Sequence, residues 1–395
     1  MRKSLLLLSL CIALFSCGKV NDVAPVADNT APQLDAVITI PRNSTTETLE
    51  GEILTKQNSN PKFTTRTWQG IPSVTIGPSG NVYAAWYTGS KGEEPGNYIT
   101  LSVSTDDGKS WANDELIINP TNPEIRFFDP AMWTDKYGNV YLSWSKSKRS
   151  LWDGIGGVWY SQIRYANGKV YASTPKRLSD GVMMCRPTDN YLKTGMLYPI
   201  AVWKTATSNN GVFIYKSNYD KITKSAQSFT KMCDIPFQRN FRGYDEHQII
   251  QLKDRSYYVL LRGLDGLYAT RSTNGEIWST PEKFTTLVSA SSRFFLGRLK
   301  SGRIALILNN STNRSNLKIY VSDDEMKTWK YSLSLDTKLG ISYPDMVEGK
   351  NGKLYVVYDY DRFGKMAINC LSFNENDVLK NAPENIERVV LSGSN

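Results

Sequence analysis

One phrase occurs six times in this chain, and a repeat of its period leaves few folds open. The phrase is a special residue, often followed by Pro, then apolar alternation, a Gly turn and a second strand. That strand ends in an aromatic or a charge. It reads GIPSVTIGPSGNVYAAWY from Gly70 and DPAMWTDKYGNVYLSWS from Asp129. It returns as RPTDNYLKTGMLYPIAVW from Arg186 and DEHQIIQLKDRSYYVLLR from Asp245. The last copies are RFFLGRLKSGRIALILN from Arg293 and YPDMVEGKNGKLYVVYD from Tyr343. The starts lie roughly 48 to 60 residues apart, within the range of propeller blades.

A second phrase runs in register with the first. STDDGKSW, from Ser104 to Trp111, fits S-x-D-x-G-x-x-W in full. STNGEIW, from Ser272, is one residue shorter, and SDDEMKTW, from Ser322, carries Met326 in place of Gly. Decayed copies fall near Ser161, Ser217 and Ser372. Such a phrase makes a tight turn: the Asp or Asn side chain bonds backbone amides, Gly permits positive φ, and Trp packs the turn onto its sheet. These residues are structural.

Each repeat supplies about four antiparallel strands, and six repeats close into a ring. The expected fold is all-β, a six-bladed β-propeller, within a chain of 395 residues rich in Tyr and Trp. The first strand of each blade lines the central channel. The residues that start those strands, Gly70, Asp129, Arg186, Asp245 with Glu246, Arg293 and Tyr343, converge on one mouth. Pro344 is tolerated because its strand is just starting.

The N-terminus is a processing signal. Arg2 and Lys3 precede an apolar run from Leu5 to Leu14, too short to span a bilayer. Residues 1–17 form the expected signal peptide, 18–60 a tether with a possible strand at 34–40, and 61–385 the propeller. Cys185, Cys233 and Cys370 are odd in number and far apart, so buried free thiols are expected rather than disulfides or a metal site. The formal charge is +9, but Lys and Arg are spread without a basic run. That pattern and export argue against nucleic acid and favour an acidic carbohydrate partner.

Charged and phenolic groups gathered at a mouth are functional candidates. The phenol of Tyr343 is a weak nucleophile until a carboxylate such as Glu246 takes its proton. Arginines suit a substrate carboxylate, and Arg262, Arg314, Arg293 and Arg186 are the candidates. Asp129, at the start of an inner strand, is a candidate acid. Asp153 and Asp345 are candidate substrate contacts. Each has a structural alternative: an ion pair for Glu246 with Arg262, blade-to-blade pairs for Arg186 and Arg293, a turn cap for Asp129. His247, the single histidine, alternates with Glu246 and is expected to point into the blade. The sequence shows no cluster of metal ligands, and no cofactor is expected.

These motifs carry a family resemblance. The turn phrases look like Asp-boxes, and residues from about 65 to 380 resemble the sialidase (neuraminidase) superfamily. The signal's end, LFSCG, resembles a bacterial lipoprotein box with Cys17 as the lipidated residue. Phrases such as RFFDPAMW, WDGIGGVW, DGVMMCRP and SSRFF resemble an exported bacterial sialidase-like branch. The resemblance implies Tyr343 as nucleophile, Glu246 as its base, and Arg262 and Arg314 as two arginines of a carboxylate-binding triad. It implies a retaining mechanism with a tyrosine nucleophile and an acid in a loop of the first repeat, which here reads TGSKGEEPGNY, so that Glu93, then Glu94, are its candidates beside Asp129. The chain departs from the family at the first triad arginine, where it reads Gln69-Gly70-Ile71-Pro72; Arg66, Arg186 or Arg293 are candidates to fill that space. The expectation is a monomeric, envelope-anchored exo-glycosidase on glycans ending in an acidic sugar. The alternatives are a propeller polysaccharide lyase using Tyr343 and His247, and a non-catalytic glycan-binding protein.

Overall fold

The computed structural model describes residues 47–56, 66–89, 92–149, 156–202 and 210–394. Cys17, the segment at 34–40 and Asp153 lie outside the described residues. The chain folds into six antiparallel sheets in sequence order, the blades of a propeller. Their innermost strands are Trp68–Ile76, Ile125–Thr134, Thr188–Asp189, Arg242–Gln251, Phe295–Arg298 and Ile341–Glu348. Gly51–Thr55 adds a fifth strand outside Ala112–Pro120 of blade 1. The last strand of blade 6, Glu387–Ser392, lies beyond residue 385, so the propeller extends further than the sequence suggested.

The second strand of each blade is buried on both faces because blades pack on either side. In blade 1, Val82, Ala84 and Trp86 face blade 6, meeting Tyr355, Val357 and Cys370. Tyr83, Ala85 and Tyr87 face blade 2, meeting Phe127, Met132 and Leu142. The strand period of two thus distributes one apolar run between two separate cores. Cys185, Cys233 and Cys370 are free and buried. Among the described residues, no helix is long and apolar enough to cross a membrane.

The repeated turn phrases pin the outer strands. Gly108 N–H donates to Ser104 Oγ at 2.9 Å, Ser110 N–H to Asp106 Oδ1 at 2.9 Å, and Trp111 Nε1 to Gly108 O at 3.1 Å. In the third copy Met326 N–H makes the same bond to Ser322 Oγ, at 2.9 Å. Met326 does so at φ 65, the left-handed conformation that Gly108 adopts without strain at φ 82.

Among the described residues no strand is shared between the first and last blades, and side chains tie the seam. Asp345 Oδ2 of blade 6 accepts Ser73 Oγ at 2.5 Å and Val74 N–H at 3.0 Å, both from blade 1. Ser73 Oγ in turn accepts Met132 N–H of blade 2 at 2.9 Å. Similar ties run round the channel: Thr188 Oγ1 to Ile249 O, Leu296 N–H to Gln248 Oε1, and Asn309 Nδ2 to Ile341 O. Removing Asp345 strands the buried Ser73 and Val74 donors of blade 1. Asp345→Ala should lower the unfolding free energy by about 3 kcal/mol, read as a lower denaturant midpoint. A midpoint within error of wild type would show that the seam holds without it.

Candidate active site

A bulge inside the inner strands of blades 1, 2, 4 and 6 accounts for the X-Pro pairs at Ile71, Asp129 and Tyr343; Pro344 thus lies within its strand, which begins at Ile341, and not at the strand's start. Ile71, Asp129, Asp245 and Tyr343 have φ of 61, 46, 51 and 57. At each, the pairing with the second strand slips, between Gly70 and Ser73, Phe128 and Ala131, Arg242 and His247, and Ser342 and Asp345. These are bulges, where Pro at the next position removes no ladder hydrogen bond. The blade 1 counterpart of Tyr343 is therefore Ile71, one residue beyond the Gly70 that the sequence pattern aligned with it. A bulky residue in the left-handed region costs about 1–3 kcal/mol, and such strain concentrates at functional sites.

The bulge turns the Tyr343 ring into a nest of guanidinium groups. Arg362, Arg293 and Arg314 lie 4.3, 4.9 and 5.0 Å from the ring centroid. Arg262 Nη1 donates to Tyr343 Oη at 2.8 Å and to Glu246 Oε2 at 2.8 Å. Arg262 thus holds Glu246 and the phenol side by side, and no direct hydrogen bond between those two is seen among the described residues. Burial pushes the Tyr343 phenol up to about 12, Glu246 adds to that, and Arg262, Arg314 and Arg362 oppose it. Burial opposes the Arg262 charge, yet Glu246 and Tyr343 hold its pKa above the usual arginine value. Tyr244 stacks on Arg262 at 4.1 Å, and Ser291 Oγ accepts its Nε, so the group is clamped on three sides.

Asp129 is 2% exposed, and no hydrogen bond to its carboxylate is seen among the described residues. Burial, then the negative fields of Glu93 and Glu246, raise its pKa to about 7. Glu93 instead sits exposed at the rim, paired with Arg362 Nη1 at 3.2 Å, and Glu94 beside it is exposed. Two neighbours escaped the sequence reading. Arg126 donates to Glu93 O at 2.6 Å and stacks on Phe128. The fully buried Tyr87 phenol has no hydrogen-bond partner among the described residues and feels Glu93 and Asp129. Its membership was unreadable because nothing in VYAAWY separates it from core aromatics.

The other sequence candidates occupy different places. Arg186 crosses the channel to Val74 O at 3.0 Å, Met346 O at 2.6 Å and Asp345 at 3.4 Å. Arg186 and Asp345 thus tie blades 3, 6 and 1 together below the mouth. Arg293 spans from Met184 O at 2.9 Å to Pro72 O at 2.6 Å, so it both braces the channel and flanks Tyr343. Between these arginines the channel narrows to a cavity of about 10 Å³ lined by Ser73, Cys185, Gln248 and Phe294. Arg66 is away from this cluster, bonded to Asp114 and Tyr98 of its own blade. Arg314 lies in the loop before Leu317–Ser322, not on the strand, and among the described residues its guanidinium has no ion-pair partner. Both His247 ring nitrogens face backbone carbonyls, of Asp245 and Phe213, each at 2.9 Å, so the ring is held inside the blade.

Five arginines against the carboxylates of Glu93, Asp129, Glu246 and Asp359 make a positive pocket suited to an anionic group. A phenol held against a carboxylate-paired arginine, with a near-neutral buried acid in the same field, is equipped for nucleophilic and proton-transfer chemistry.

A family model described as a BNR repeat-like domain matches residues 80–356. No curated protein sequence matches the chain. Among solved structures, a Hadza microbial sialidase superposes with a TM-score of 0.61 at 14% identity, over 79% of this chain and 66% of that one. The intramolecular trans-sialidase of Ruminococcus gnavus, in complex with oseltamivir carboxylate, gives 0.55 at 15% identity, over 85% and 99%. An α-L-arabinofuranosidase of Fusarium graminearum, in complex with arabinobiose, gives 0.53 at 12% identity, over 79% and 94%. At such identities the likeness is one of fold. The chain belongs to the BNR repeat-like domain family, and its six-bladed propeller is similar in fold to that of solved sialidases.

Proposed function

We propose that the protein is a retaining exo-glycosidase that removes a terminal acidic sugar, sialic acid or a related keto-acid sugar, from glycans. The observation that carries this reading is the shared hydrogen bond of Arg262 Nη1 to Tyr343 Oη and Glu246 Oε2. Tyr343 is the nucleophile. Its proton passes to Glu246 while Arg262 stabilises the phenolate that forms, and Oη bonds to the anomeric carbon as the glycosidic bond breaks. Asp129 gives its proton to the leaving oxygen. Water then attacks the anomeric carbon, Asp129 takes the water's proton, the bond to Oη breaks, and Glu246 returns the proton to Tyr343. Arg314, with no protein partner for its charge among the described residues, receives the substrate carboxylate beside Arg293. Glycosidases of this fold, as the names of the solved structures record, include sialidases, which supports the substrate class.

Purified protein incubated with aryl α-glycosides of acidic sugars should release the phenol, and Tyr343→Phe should reduce release to the uncatalysed rate. Turnover that survives Tyr343→Phe would remove the tyrosine from the mechanism. A 3-fluoro analogue of the substrate should leave a covalent sugar adduct on the peptide containing Tyr343.

Asp129 must be protonated to act first, so activity should fall as pH rises through about 7. Asp129→Asn should lower kcat by about 10²–10⁴ on a poor leaving group and much less on a nitrophenyl glycoside, which leaves without a proton. An equal loss on both would point to another acid, Glu93 first.

The same raised pKa acts on stability. The fold prefers the neutral Asp129 carboxyl, so its stabilising contribution is full below the ordinary value of 3.8 and is lost as pH rises through about 7. Asp129→Asn should therefore raise the melting temperature at pH 8 and leave it nearly unchanged at pH 4. An identical shift at both pH values would contradict the raised pKa.

A further inference from the structure

Gly70 is the one residue at the mouth whose lack of a side chain needs explaining. Its φ lies outside the left-handed region, and it pairs in register with Tyr87, so the backbone does not call for glycine. Space does. A Cβ built on Gly70 would stand 2.8 Å from Arg362 Nε, 2.9 Å from Arg362 Cδ and 3.0 Å from Asp359 Oδ2. Arg362 comes from the loop after the second strand of blade 6 and crosses the seam to lie against blade 1. Its carbonyl accepts Gln69 N–H at 3.3 Å, fixing the loop beside that strand. Nε donates to the buried Asp359 carboxylate at 2.9 Å, and Asp359 also accepts Ile71 N–H at 2.8 Å and Ser342 Oγ at 2.7 Å. The guanidinium is thereby aimed over the Tyr343 ring, the nearest of the three that flank it. Its remaining partners are Ser342 Oγ at 3.4 Å and the rim carboxylate of Glu93, whose side chain is 36% exposed.

We propose that Gly70 and Arg362 together form an anion-recognition element. Gly70 makes the cleft, Asp359 orients the guanidinium, and Arg362 binds the carboxylate of the ligand. Glu93 occupies that guanidinium in the free protein and is displaced when a ligand carboxylate arrives. The proposal rests on the acidic-sugar reading above and names the residue that completes its carboxylate site. Of the sequence candidates for the space at Gly70, Arg66 pairs with Asp114, Arg186 bonds Val74 O, Met346 O and Asp345 in the channel, and Arg293 reaches Pro72 O and flanks Tyr343 without lying against Gly70.

Calorimetric titration with the unsaturated sugar acid 2-deoxy-2,3-didehydro-N-acetylneuraminic acid, beside its methyl ester, tests this. Arg362→Ala should weaken binding of the acid by about 10–100-fold and leave the ester nearly unaffected. Arg362→Ala also removes the partner of buried Asp359, so Gly70→Ala serves as the second variant. It touches no ligand, yet should weaken the acid selectively by displacing the guanidinium. Glu93→Gln should tighten binding of the acid several-fold, because a competitor is removed. Wild-type binding of the acid with no selective loss in either Arg362→Ala or Gly70→Ala would overturn this assignment and leave the acidic-sugar reading standing. Failure of the folded wild type to bind the acid at all would overturn both.

Discussion

The arrangement depends on Asp345. Among the described residues this ring of six sheets in sequence order has no strand common to its ends, so contacts across the seam close it. Asp345 does this by reaching from the last inner strand to Ser73 and Val74 of the first, with Arg186 crossing from blade 3 to meet it. Closure sets the chemistry as well, because Tyr343 precedes Asp345 by two residues across a bulge. Locking Asp345 to blade 1 fixes the distance between the Tyr343 ring and everything blade 1 contributes: Gly70, Tyr87 and the loop that carries Glu93. Arg362 and Asp359 bridge the same seam higher up, through Gln69 and Ile71. The mouth and the seam are thus one construction, and a substitution that loosens the ring is expected to blur the site.

The electrostatics follow from how deeply each group sits. Burial opposes both the Arg262 charge and the Tyr343 phenolate, and the two are held together by one hydrogen bond. Glu246 completes the set, and with Arg262 it forms a pair whose side chains are almost wholly buried. A pair so enclosed is weak as a source of stability, because desolvation offsets its attraction. Its effect is orientation: Arg262 is fixed by Glu246, Ser291 and Tyr244, so the phenol meets a donor that does not reorganise. Asp129 shows the opposite case. Among the described residues no positive group is bonded to it, and burial with the fields of Glu93 and Glu246 outweighs Arg293 and Arg126, raising its pKa to about 7.

Much of this was legible because the repeat converts sequence position into place. The copies fixed the blade number, and their starts put Tyr343, Glu246, Asp129 and Arg293 at one mouth. Arg262 ends the second strand of its blade, which returns to the same face. What the pattern could not give was depth. Arg186 begins its repeat as Arg293 does, yet its guanidinium goes down into the channel and bonds carbonyl groups there. Glu93 lies at the rim, and its pairing depends on Arg362, which the repeat pattern does not single out. Arg362 follows YDYD in a loop between strands, where sequence periodicity says nothing. The trace it leaves is Gly70, a small residue at a position where the backbone would accept any side chain.

The channel floor has a consequence for what can be handled at the mouth. Arg186 and Arg293 cross beneath Tyr343, leaving about 10 Å³, room for a single water at most. The hole through the ring is stoppered, so the molecule is a cup and not a pipe. Nothing can be threaded through it, and whatever reaches Tyr343 must leave by the way it came. Entry and exit of any ligand at Tyr343 therefore share one doorway, walled on one side by Arg362 and Glu93.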